Sequence, residues 1–249
     1  MPNFIYKPKG KAAEYGDYAL NIYTGCPHNC YFCFGPGVLR REKDVFHNNV
    51  VPRAGILEGV REQLKQNGMK DKLIHLCFVC DPYPKGHDSS ITREIIKVIK
   101  ESGNHVQILT KNGEDAIRDF DLLDDNDWFG ISYSGYQLFE YYNGAVAEPG
   151  ASSPKARVKA LEYAKSLGIN TWVSCEPVLN DEDVLDFICD TNFVDLWKVG
   201  KLNYHPSDIN WKNFGIKVEK LLKEKELKTG CKYYIKESLR KEMETNHDN

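Results

Sequence analysis

Short apolar runs of strand composition alternate along the chain with longer segments whose apolar residues recur at helical spacing. In residues 54–66, for example, Ile56, Val60 and Leu64 fall on one face of a helix. Runs such as 170–175 are too short for a helix and rich in strand-forming residues. The predicted strands are residues 18–24, 73–79, 105–110, 128–134, 170–175 and 194–199, with a last short strand at 231–235. The predicted helices are residues 54–66, 91–102, 114–122, 154–167, 182–189 and 210–227.

Regular alternation of strand and helix indicates a parallel sheet with helices outside it. No Gly-x-Gly-x-x-Gly follows the first strand, which favours a barrel over a dinucleotide-binding sheet. We therefore predict an α/β fold, a partial (β/α)6 TIM-type barrel of parallel strands closed by a C-terminal helix and short strand. We expect one domain over residues 1–249, with its parts assigned as a core at 18–205, a C-terminal extension at 206–241 and a polar, frayed tail at 242–249.

Two segments show no readable periodicity and are predicted to be irregular. They are the lead-in before Tyr18 and the connection 34–52, whose Gly-Pro-Gly turn and charge run are typical of a solvated loop. The chain of 249 residues has 41% hydrophobic and 28% charged residues, which is ordinary for a soluble protein. We find no apolar run of roughly 18 residues and no signal peptide in residues 1–10, so we expect a cytoplasmic protein without a membrane segment.

The formal net charge of −3 argues against a global electrostatic grip on nucleic acid and leaves a local basic patch open. Eight cysteines without a secretory signal indicate reduced thiols, metal ligands or small core residues rather than a disulfide framework. Composition alone names no substrate.

The most specific stretch is Gly25 to Cys33, which follows the first predicted strand. It brings three thiols, those of Cys26, Cys30 and Cys33, into eight residues at spacings of four and three. With no fourth cysteine nearby, this is a poor tetrahedral zinc site but suits three irons of a cubane cluster, whose fourth iron stays open. A zinc site completed by His28 or His47 is the alternative.

Polar or ligating residues also end the other predicted strands. In parallel barrels the active site forms at these carboxyl ends. Polarity where a strand meets water explains some of these residues individually, but it does not explain three clustered cysteines. The strand ends are the cysteine loop, Cys80-Asp81, Thr110-Lys111-Asn112, Ser132-Tyr133-Ser134, Cys175-Glu176-Pro177, Lys201-Leu202-Asn203-Tyr204 and Lys236-Glu237.

The cysteine motif, with the aromatic Phe32 before its last cysteine, resembles that of the radical S-adenosylmethionine (SAM) superfamily. Further motifs, spread from about residue 20 to about residue 240, are similar to the spore photoproduct lyase-like branch of that superfamily. They are Thr24-Gly25-Cys26-Pro27, Asp81-Pro82-Tyr83, Thr92-Arg93, Leu109-Thr110-Lys111, Glu148-Pro149, Ser153-Pro154-x-x-Arg157 and Gly200-Lys201-Leu202-Asn203-Tyr204.

The resemblance implies a 4Fe–4S cluster on Cys26, Cys30 and Cys33, with SAM chelating the open iron through its amino and carboxylate groups. Reductive cleavage of SAM then gives methionine and a 5'-deoxyadenosyl radical, which abstracts hydrogen from a substrate. Such an enzyme needs an external electron donor such as flavodoxin or ferredoxin. Its substrate, a small molecule or a nucleic acid, stays open, and we expect a monomer.

The resemblance also implies less specific roles for residues at the second to fourth strand ends. Cys80 and Asp81 stand where the superfamily contacts the SAM amino group, although Asp81 also suits a turn-capping role. Lys111 is predicted to pair with the SAM carboxylate or to be simply solvated. Ser132 and Ser134 are candidates for the ribose hydroxyls.

Residues farther along the chain complete the candidate site. Arg157 lies in the first turn of a predicted helix, where a cation is unfavourable unless an anion compensates, so it is assigned to a carboxylate. Glu176 is predicted to bind a donor group of substrate or SAM or to be a solvated strand end, and with Cys80 it is a candidate catalytic residue. Lys201 and Asn203 lie in the stretch that the resemblance brings near adenine, and Lys236 is predicted to reach in from the last strand.

The remaining cysteines are predicted to fill space. Cys77 and Cys80 form a Cys-x-x-Cys, but residues three apart on a strand point to opposite faces, so they cannot ligate jointly unless the strand ends between them. Core filling is the prediction for Cys77. Cys175, Cys189 and Cys231 are likewise expected to be small buried residues.

The chain departs from the branch at one position that affects the choice of substrate. The hydrogen-donating cysteine of spore photoproduct lyase stands three residues before the aspartate of the second strand end, and here that residue is Phe78. A nucleic-acid lyase or modifying enzyme remains an alternative, with aromatic residues that either stack on bases or pack over the barrel mouth. A non-catalytic iron–sulfur or metal-binding protein is the third hypothesis, for which the sequence offers no convincing fourth ligand. The aromatic residues are Tyr133, Tyr136, Phe139, Tyr141 and Tyr142.

Overall fold

The computed structural model describes residues 3–136 and 146–245, whose strands form a single parallel sheet. Strand order in the sheet follows the order in the chain, and each strand pairs in parallel with the next. This confirms the predicted α/β partial barrel. The strands are β1 Tyr18–Leu20, β2 Leu73–Leu76, β3 His105–Thr110, β4 Trp128–Ser132, β5 Asn170–Cys175, β6 Leu196–Val199 and β7 Lys232–Ile235.

Helices connect the strands, and three of the longer ones begin at a side-chain cap. Ser153, Asn180 and Asn210 each accept a hydrogen bond from the backbone N–H three residues on, which satisfies a free donor of the first turn. In the described residues the α-helices are α1 Gly35–Leu39, α2 Lys43–Asn48, α3 Ile56–Asn67, α4 Ser90–Glu101, α5 Gly113–Ala116, α6 Pro154–Ser166, α7 Asp181–Asp190, α8 Trp211–Thr229 and α9 Glu237–Glu244. Two 3-10 helices span Gly10–Glu14 and Ile117–Leu122. None of these helices is both long enough and apolar enough to cross a membrane.

The two faces of the sheet differ in polarity. Alternate residues such as Leu76 and Ile108 are fully buried in the apolar core with the helices. The opposite face carries polar and aromatic side chains from strands that are not neighbours in the sheet. The His75 and Trp172 rings lie 6.0 Å apart, and the Lys198 ammonium is 5.6 Å from the Trp172 ring. Because β2, β5 and β6 meet there, this face is the interior of the barrel.

The N-terminal segment closes the seam between the first and last strands, although the sequence predicts an irregular lead-in. Tyr6 pairs with Ala19 on the free edge of β1 through two backbone hydrogen bonds of 2.9 Å. Near the other edge, Lys198 of β6 donates from Nζ to the carbonyls of Glu14 and Tyr15, at 2.8 and 3.1 Å, and the Tyr234 hydroxyl of the edge strand β7 donates to Glu14 Oε1 at 3.0 Å. We call residues 4–15 the seam segment. The C-terminal helix and strand take their predicted places, and the seam segment adds a closure that the sequence does not indicate.

Two further predictions are corrected. The connection 34–52 contains α1 and α2, held together by the fully buried Phe46, whose ring leaves no room for a Cβ on Gly35. The polar tail begins as helix, because α9 runs to Glu244 and packs on α8, with Arg240 Nη1 2.9 Å from Glu219 Oε1. Residues 246–249 lie outside the described residues.

Candidate active site

The three predicted cluster ligands lie on one loop after β1, which we call the thiol loop (residues 25–33). Backbone contacts fix both ends of it. Cys26 N donates to Phe46 O at 3.3 Å, and Tyr31 N donates to Ala147 O at 2.8 Å. Gly25 is required here, because a Cβ would collide with the Phe46 carbonyl. The loop is therefore held against α2 on one side and the segment before α6 on the other.

Burial sets the protonation of the three thiols. It raises the pKa of Cys26 well above its usual value and also raises the pKa of Cys30. The pKa of Cys33 is raised by burial too, although the backbone N–H of Gly35 and the charges of Lys111 and Lys43 partly oppose it. Neutral thiols become ligands when a positively charged metal centre displaces their protons. The donor set fits a metal centre of thiolate-binding character.

The spacing of the thiols bears on which centre they fit. A single zinc ion, with zinc–sulfur bonds of about 2.3 Å, holds its ligands roughly 4 Å apart. In the part of the chain that the structure describes, the one group of potential ligand atoms all within 4.8 Å of one another is His105, Asp124 and Asp127, where the Lys100 ammonium pairs with both carboxylates. The three thiols do not all lie within that distance of one another.

Each histidine of the zinc alternative has a polar partner on at least one ring nitrogen, although His47 Nε2 is buried without a hydrogen-bond partner. His28 Nε2 accepts the Lys85 N–H at 3.3 Å, and its Nδ1 lies 3.5 Å from Asp81. His47 Nδ1 lies 2.7 Å from the Cys26 carbonyl oxygen. Burial lowers the pKa of His28, so it is neutral. These contacts orient the thiol loop.

A buried group of charges lies beside the thiol loop at the ends of β3 and β4. Arg157 Nη2 lies 2.5 Å from Glu148 Oε2, and Lys111 Nζ lies 3.4 Å from Glu148 Oε1. Lys111 also sits over the Phe32 ring, 5.6 Å from its centroid. Burial raises the pKa of Glu148, but Arg157 and Lys111 outweigh it, and the net shift is downward. We call Lys111, Glu148 and Arg157 the charge triad.

The charge triad contains the anion that is expected beside Arg157, and it adds Glu148 to the candidate site. The anion that Arg157 requires in a helix's first turn is Glu148, which the sequence presents only within Glu148-Pro149 and to which we assigned no role. Both predicted ribose ligands lie against the triad. Arg157 Nη1 donates to the Ser132 carbonyl at 3.0 Å, and Ser134 Oγ lies 3.5 Å from Glu148 Oε1.

Asp81 ties the ends of β2 and β3 together. Its Oδ1 accepts the Thr110 hydroxyl at 2.6 Å and the Tyr83 N–H at 2.9 Å, and its Oδ2 accepts the Lys111 N–H at 2.8 Å. The bond to Tyr83, two residues on, is the turn-capping contact of the alternative. A direct contact between Asp81 and SAM stays a prediction, whereas its hold on the Lys111 backbone is visible.

Cys77 and Cys80 of the Cys-x-x-Cys pair both lie beyond the second strand, which was predicted to extend to residue 79. β2 ends at Leu76, before both cysteines, and Cys77 has a φ of 70°, so strand alternation does not separate their side chains. Burial raises the pKa of Cys77, and a hydrogen bond with the Cys80 side chain adds to the rise. Cys77 is buried in the core as predicted. The residue that enters the barrel is Phe78, stacked on His75 with a ring-centroid distance of 4.3 Å.

Glu176 is the centre of a second group at the ends of β5 to β7. It pairs with Lys236 Nζ and accepts the Tyr15 hydroxyl at 3.1 Å and the Asn203 amide at 3.2 Å. Lys236 also has its ammonium 4.0 Å from the Tyr15 ring centroid. We call Tyr15, Glu176, Lys236 and the neighbouring Lys198 the seam group. Sequence reasoning missed Tyr15 because nothing in the lead-in indicates a contact with residues some 160 positions away.

Two lysines of the seam group have shifted pKa values of opposite sign. Burial lowers the pKa of Lys236, but its interactions with Tyr15 and Glu176 outweigh burial and raise it to about 12. Burial, followed by the charge of Lys236, lowers the pKa of Lys198 to about 8. Lys236 is therefore a permanent cation, while Lys198 titrates in a mildly alkaline range.

The other predicted residues divide between the site and its surroundings. Lys201 pairs with Glu242 of α9, and its role in SAM binding stays a prediction. Cys175 and Cys231 are buried as expected, but Cys189 is exposed, because α7 buries Val184 and Ile188 instead. Tyr133 stacks on Phe187 at 4.1 Å and is buried, so it is not available to a base. Phe139, Tyr141 and Tyr142 lie outside the described residues.

Comparison with known families gives one match that covers more than half of the chain. A family model described as the radical SAM superfamily matches residues 20–188. The uncharacterized protein ORF301 of Acidianus two-tailed virus is 28% identical over 179 residues, 68% of this chain and 58% of that protein. The uncharacterized protein Rv2578c of Mycobacterium tuberculosis is 24% identical over 181 residues, 65% of this chain and 49% of that protein. This chain thus spans about half the length of the curated relatives it matches.

Solved structures share the fold at low sequence identity. A spore photoproduct lyase variant with bound AdoMet and dinucleoside spore photoproduct superposes with a TM-score of 0.67 at 11% identity, over 92% of this chain and 79% of that chain. Streptococcus suis SuiB bound to S-adenosylmethionine gives a TM-score of 0.61 at 15% identity, over 87% of this chain and 50% of that chain. At these identities the likeness concerns the fold.

Proposed function

The chain belongs to the radical SAM superfamily, and from that premise we propose that this enzyme holds a 4Fe–4S cluster on Cys26, Cys30 and Cys33. The observation that carries the proposal is the thiol loop itself: three cysteines on one loop at a strand end, with Cys30 buried and Cys26 and Cys33 half-buried. When bound, the cluster supplies the electron that cleaves SAM into methionine and a 5'-deoxyadenosyl radical. The substrate from which that radical takes hydrogen is unidentified.

The chain's own residues would bind and orient SAM. Lys111 and Arg157 supply positive charge for the SAM carboxylate, and the Glu148 carboxylate between them suits the amino group. Ser132 and Ser134, against the same triad, suit the ribose hydroxyls. Asp81 is a positioning residue here, because it holds the Lys111 backbone through Oδ2. Asn203, hydrogen-bonded to Glu176, is assigned to the adenine side.

Anaerobic reconstitution tests the cluster. We expect iron and sulfide near four of each per chain in the wild type and strong loss of both in Cys30→Ala. Cys175→Ala is the matched control, since that cysteine is also buried but lies outside the thiol loop. Zinc without sulfide in the wild type would contradict the proposal.

Incubation of the reconstituted protein with SAM and dithionite tests the chemistry. We expect 5'-deoxyadenosine from the wild type and the Cys175→Ala control, and none above background from Cys30→Ala. Lys111→Met and Arg157→Met should each weaken SAM binding, measured by the change that SAM causes in the EPR spectrum of the reduced cluster. A wild-type protein that loads iron and sulfide but yields no 5'-deoxyadenosine would reject reductive SAM cleavage.

A nucleic-acid substrate is the second candidate, supported by the shared fold of a lyase structure that holds a dinucleoside photoproduct. Phe78, which occupies the barrel interior, cannot donate a hydrogen atom from a thiol, and Tyr133 is buried. The test is binding of single-stranded and duplex DNA and RNA between 50 and 200 mM salt, because phosphate contacts make affinity fall steeply with salt. Weak, salt-independent binding would remove this candidate. A non-catalytic iron–sulfur protein would instead show no spectral response to SAM.

A further inference from the structure

His28 is a buried residue of the thiol loop, two positions after Cys26 and two before Cys30. A buried polar ring atom without a partner is costly, so the contacts of a buried imidazole indicate what holds it. Both ring nitrogens of His28 have a partner in the loop between β2 and α4, residues 77–89. The His28 side chain therefore joins the thiol loop to the loop that follows β2.

The two partners of His28 determine which ring nitrogen carries the proton. The Lys85 N–H donates to Nε2 at 3.3 Å, so Nε2 is the nitrogen with the free lone pair. In a neutral imidazole the proton is then on Nδ1, which is the atom that lies 3.5 Å from Asp81 Oδ2. The ring thus offers an N–H to the Asp81 carboxylate while a backbone donor holds its other side.

The backbone of His28 is fixed as well. Gly150 N donates to the His28 carbonyl at 2.9 Å. A Cβ on Gly150 would lie 2.3 Å from the Pro27 carbonyl oxygen and 2.8 Å from His28 Cα, so the segment before α6 crosses the thiol loop at a distance that requires glycine. These contacts hold the His28 backbone in place, so the direction of its side chain is preset.

Asp81 connects His28 to the charge triad. Asp81 Oδ2 accepts the Lys111 N–H at 2.8 Å and is also the oxygen beside His28 Nδ1. The other oxygen, Oδ1, accepts the Thr110 hydroxyl and the Tyr83 N–H. Of these four groups around the carboxylate, His28 is the one that belongs to the thiol loop. One oxygen atom is thus shared between the thiol loop and the backbone of Lys111.

We propose that His28 is a positioning residue, which acts through Asp81 to fix the Lys111 backbone relative to the thiol loop and so places the Lys111 ammonium for the SAM carboxylate. The inference rests on the proposed function, because it assigns His28 to the same SAM site. This role requires no contact of His28 with the cluster or with SAM. Loss of the Nδ1 donor should therefore weaken SAM binding and leave iron and sulfide in place.

Two amide substitutions separate the two ring contacts. The side-chain nitrogen of asparagine reaches the position of Nδ1, so His28→Asn keeps the donor to Asp81. Glutamine reaches the position of Nε2, so His28→Gln keeps a partner for the Lys85 N–H and loses the donor to Asp81. The measurement is the SAM concentration that gives half of the EPR change of the reduced cluster. We expect it to rise about five-fold in His28→Gln, as for the loss of one hydrogen bond, and to stay near the wild-type value in His28→Asn.

His105→Gln is the matched control. His105 begins β3, at the end of that strand opposite Lys111, and its Nε2 lies 3.1 Å from Asp71. This variant should bind SAM as the wild type does. At saturating SAM, His28→Gln should form 5'-deoxyadenosine at the wild-type rate, because its defect is one of affinity.

Three results of these measurements would overturn the proposal. Loss of iron and sulfide from His28→Gln would mean that His28 serves the cluster itself. Wild-type SAM affinity in His28→Gln would mean that the donor to Asp81 is not needed. Weakened SAM binding in a folded His28→Asn protein would mean that another property of the ring matters, and this result is decisive even if His28→Gln does not fold.

Hydrogen exchange gives a readout that needs neither the cluster nor SAM. In the full chain before reconstitution, the Lys111 amide should exchange about five-fold faster in His28→Gln than in the wild type, because Asp81 holds it less firmly. The His28→Asn and His105→Gln proteins should exchange as the wild type does. Equal rates in all four proteins would overturn the proposal. The expected exchange pattern in a wild type that assembles no cluster would support the link from His28 to Lys111 and count against the proposed function instead.

Discussion

The two sides of the barrel mouth hold their polar groups in different states. On the β1–β4 side, burial keeps three thiols protonated next to a charge triad in which two cations share one carboxylate. On the β5–β7 side, Glu176 pairs with Lys236 and also accepts hydrogen bonds from Tyr15 and Asn203. The first side carries the thiols of the thiol loop, which are metal-binding donors, whereas the groups named on the second side contact one another.

The difference indicates that the β1–β4 side is the one that binds a ligand. Thiols favour a metal centre that deprotonates sulfur, and the Lys111 ammonium beside the thiol loop suits an anionic group. The seam group instead stabilises the fold. It joins Tyr15, near one end of the chain, to Lys236, near the other, and it closes the gap between β1 and β7. Substitutions on the two sides should therefore differ in their effects on cofactor binding.

The largest effect on stability is expected from Arg157→Met. The substitution removes the 2.5 Å partner of a fully buried carboxylate and leaves Glu148 with Lys111 alone at 3.4 Å. Breaking a buried pair typically costs about 3–5 kcal/mol. The measurement is the free energy of unfolding in urea. Lys241→Met, which breaks the exposed pair with Glu237, is the control and should leave stability close to that of the wild type. Equal effects of the two substitutions would contradict a buried charge triad.

The lowered pKa of Lys198, on the β5–β7 side, predicts that the free energy of unfolding depends on pH. Its pKa of about 8 in the folded protein lies below the ordinary value of about 10.4, so the unfolded chain binds more protons between these values. Stability therefore rises with pH from about 8 to about 10.4, and the cost of burying the charged ammonium is fully present below pH 8. Comparison with Lys198→Met isolates this group from other titrations. The wild type should gain up to about 3 kcal/mol relative to the variant between pH 7 and pH 10.4. A constant difference in unfolding free energy would contradict the shift.

Glu176→Gln tests whether the seam group stabilises the fold without affecting the cluster. It leaves the buried Lys236 with Glu14 Oε2 at 3.7 Å as its remaining carboxylate partner, so we expect a loss of about 2 kcal/mol, below the usual cost of a broken buried pair. The double variant Glu176→Gln with Lys236→Gln should be more stable than the sum of the single effects predicts. Iron and sulfide content should stay at the wild-type level in both variants. Loss of the cluster from Glu176→Gln would show that the two sides are not independent.

The same two sides differ in how far the sequence predicts them. The strands 105–110 and 170–175 are predicted to the residue, because each is a short apolar run with turn residues beyond it. The thiol loop is predicted from spacing, which is a local property of the chain. The seam group depends on contacts between residues about 160 to 220 positions apart, and no local pattern carries that information.

The errors have local causes. α1 and α2 are five and six residues long, too short for a helical period to show, and a buried Phe46 stabilises them instead. Cys189 was expected in the core on residue type alone, but the face of α7 is set by Val184 and Ile188. Glu148 was overlooked as a site residue because it lies outside the predicted strand ends, although Arg157 demands an anion.

The smallest expected effect comes from Thr110→Val, which probes how the β1–β4 side positions Lys111. The substitution removes the hydroxyl that donates to Asp81 Oδ1 at 2.6 Å and accepts the Asn112 N–H at 2.8 Å, while keeping the volume of the side chain. Loss of a hydrogen bond to a charged group costs about 1.5–3 kcal/mol, and we expect the lower end because Asp81 keeps the N–H groups of Tyr83 and Lys111. Thr110→Ser retains the hydroxyl and should restore stability. Because Asp81 then holds the Lys111 backbone less firmly, SAM affinity should fall several-fold in Thr110→Val and recover in Thr110→Ser, measured by the EPR response of the reduced cluster. A Thr110→Val protein that binds SAM as tightly as wild type would mean that Asp81 does not position Lys111 for this ligand.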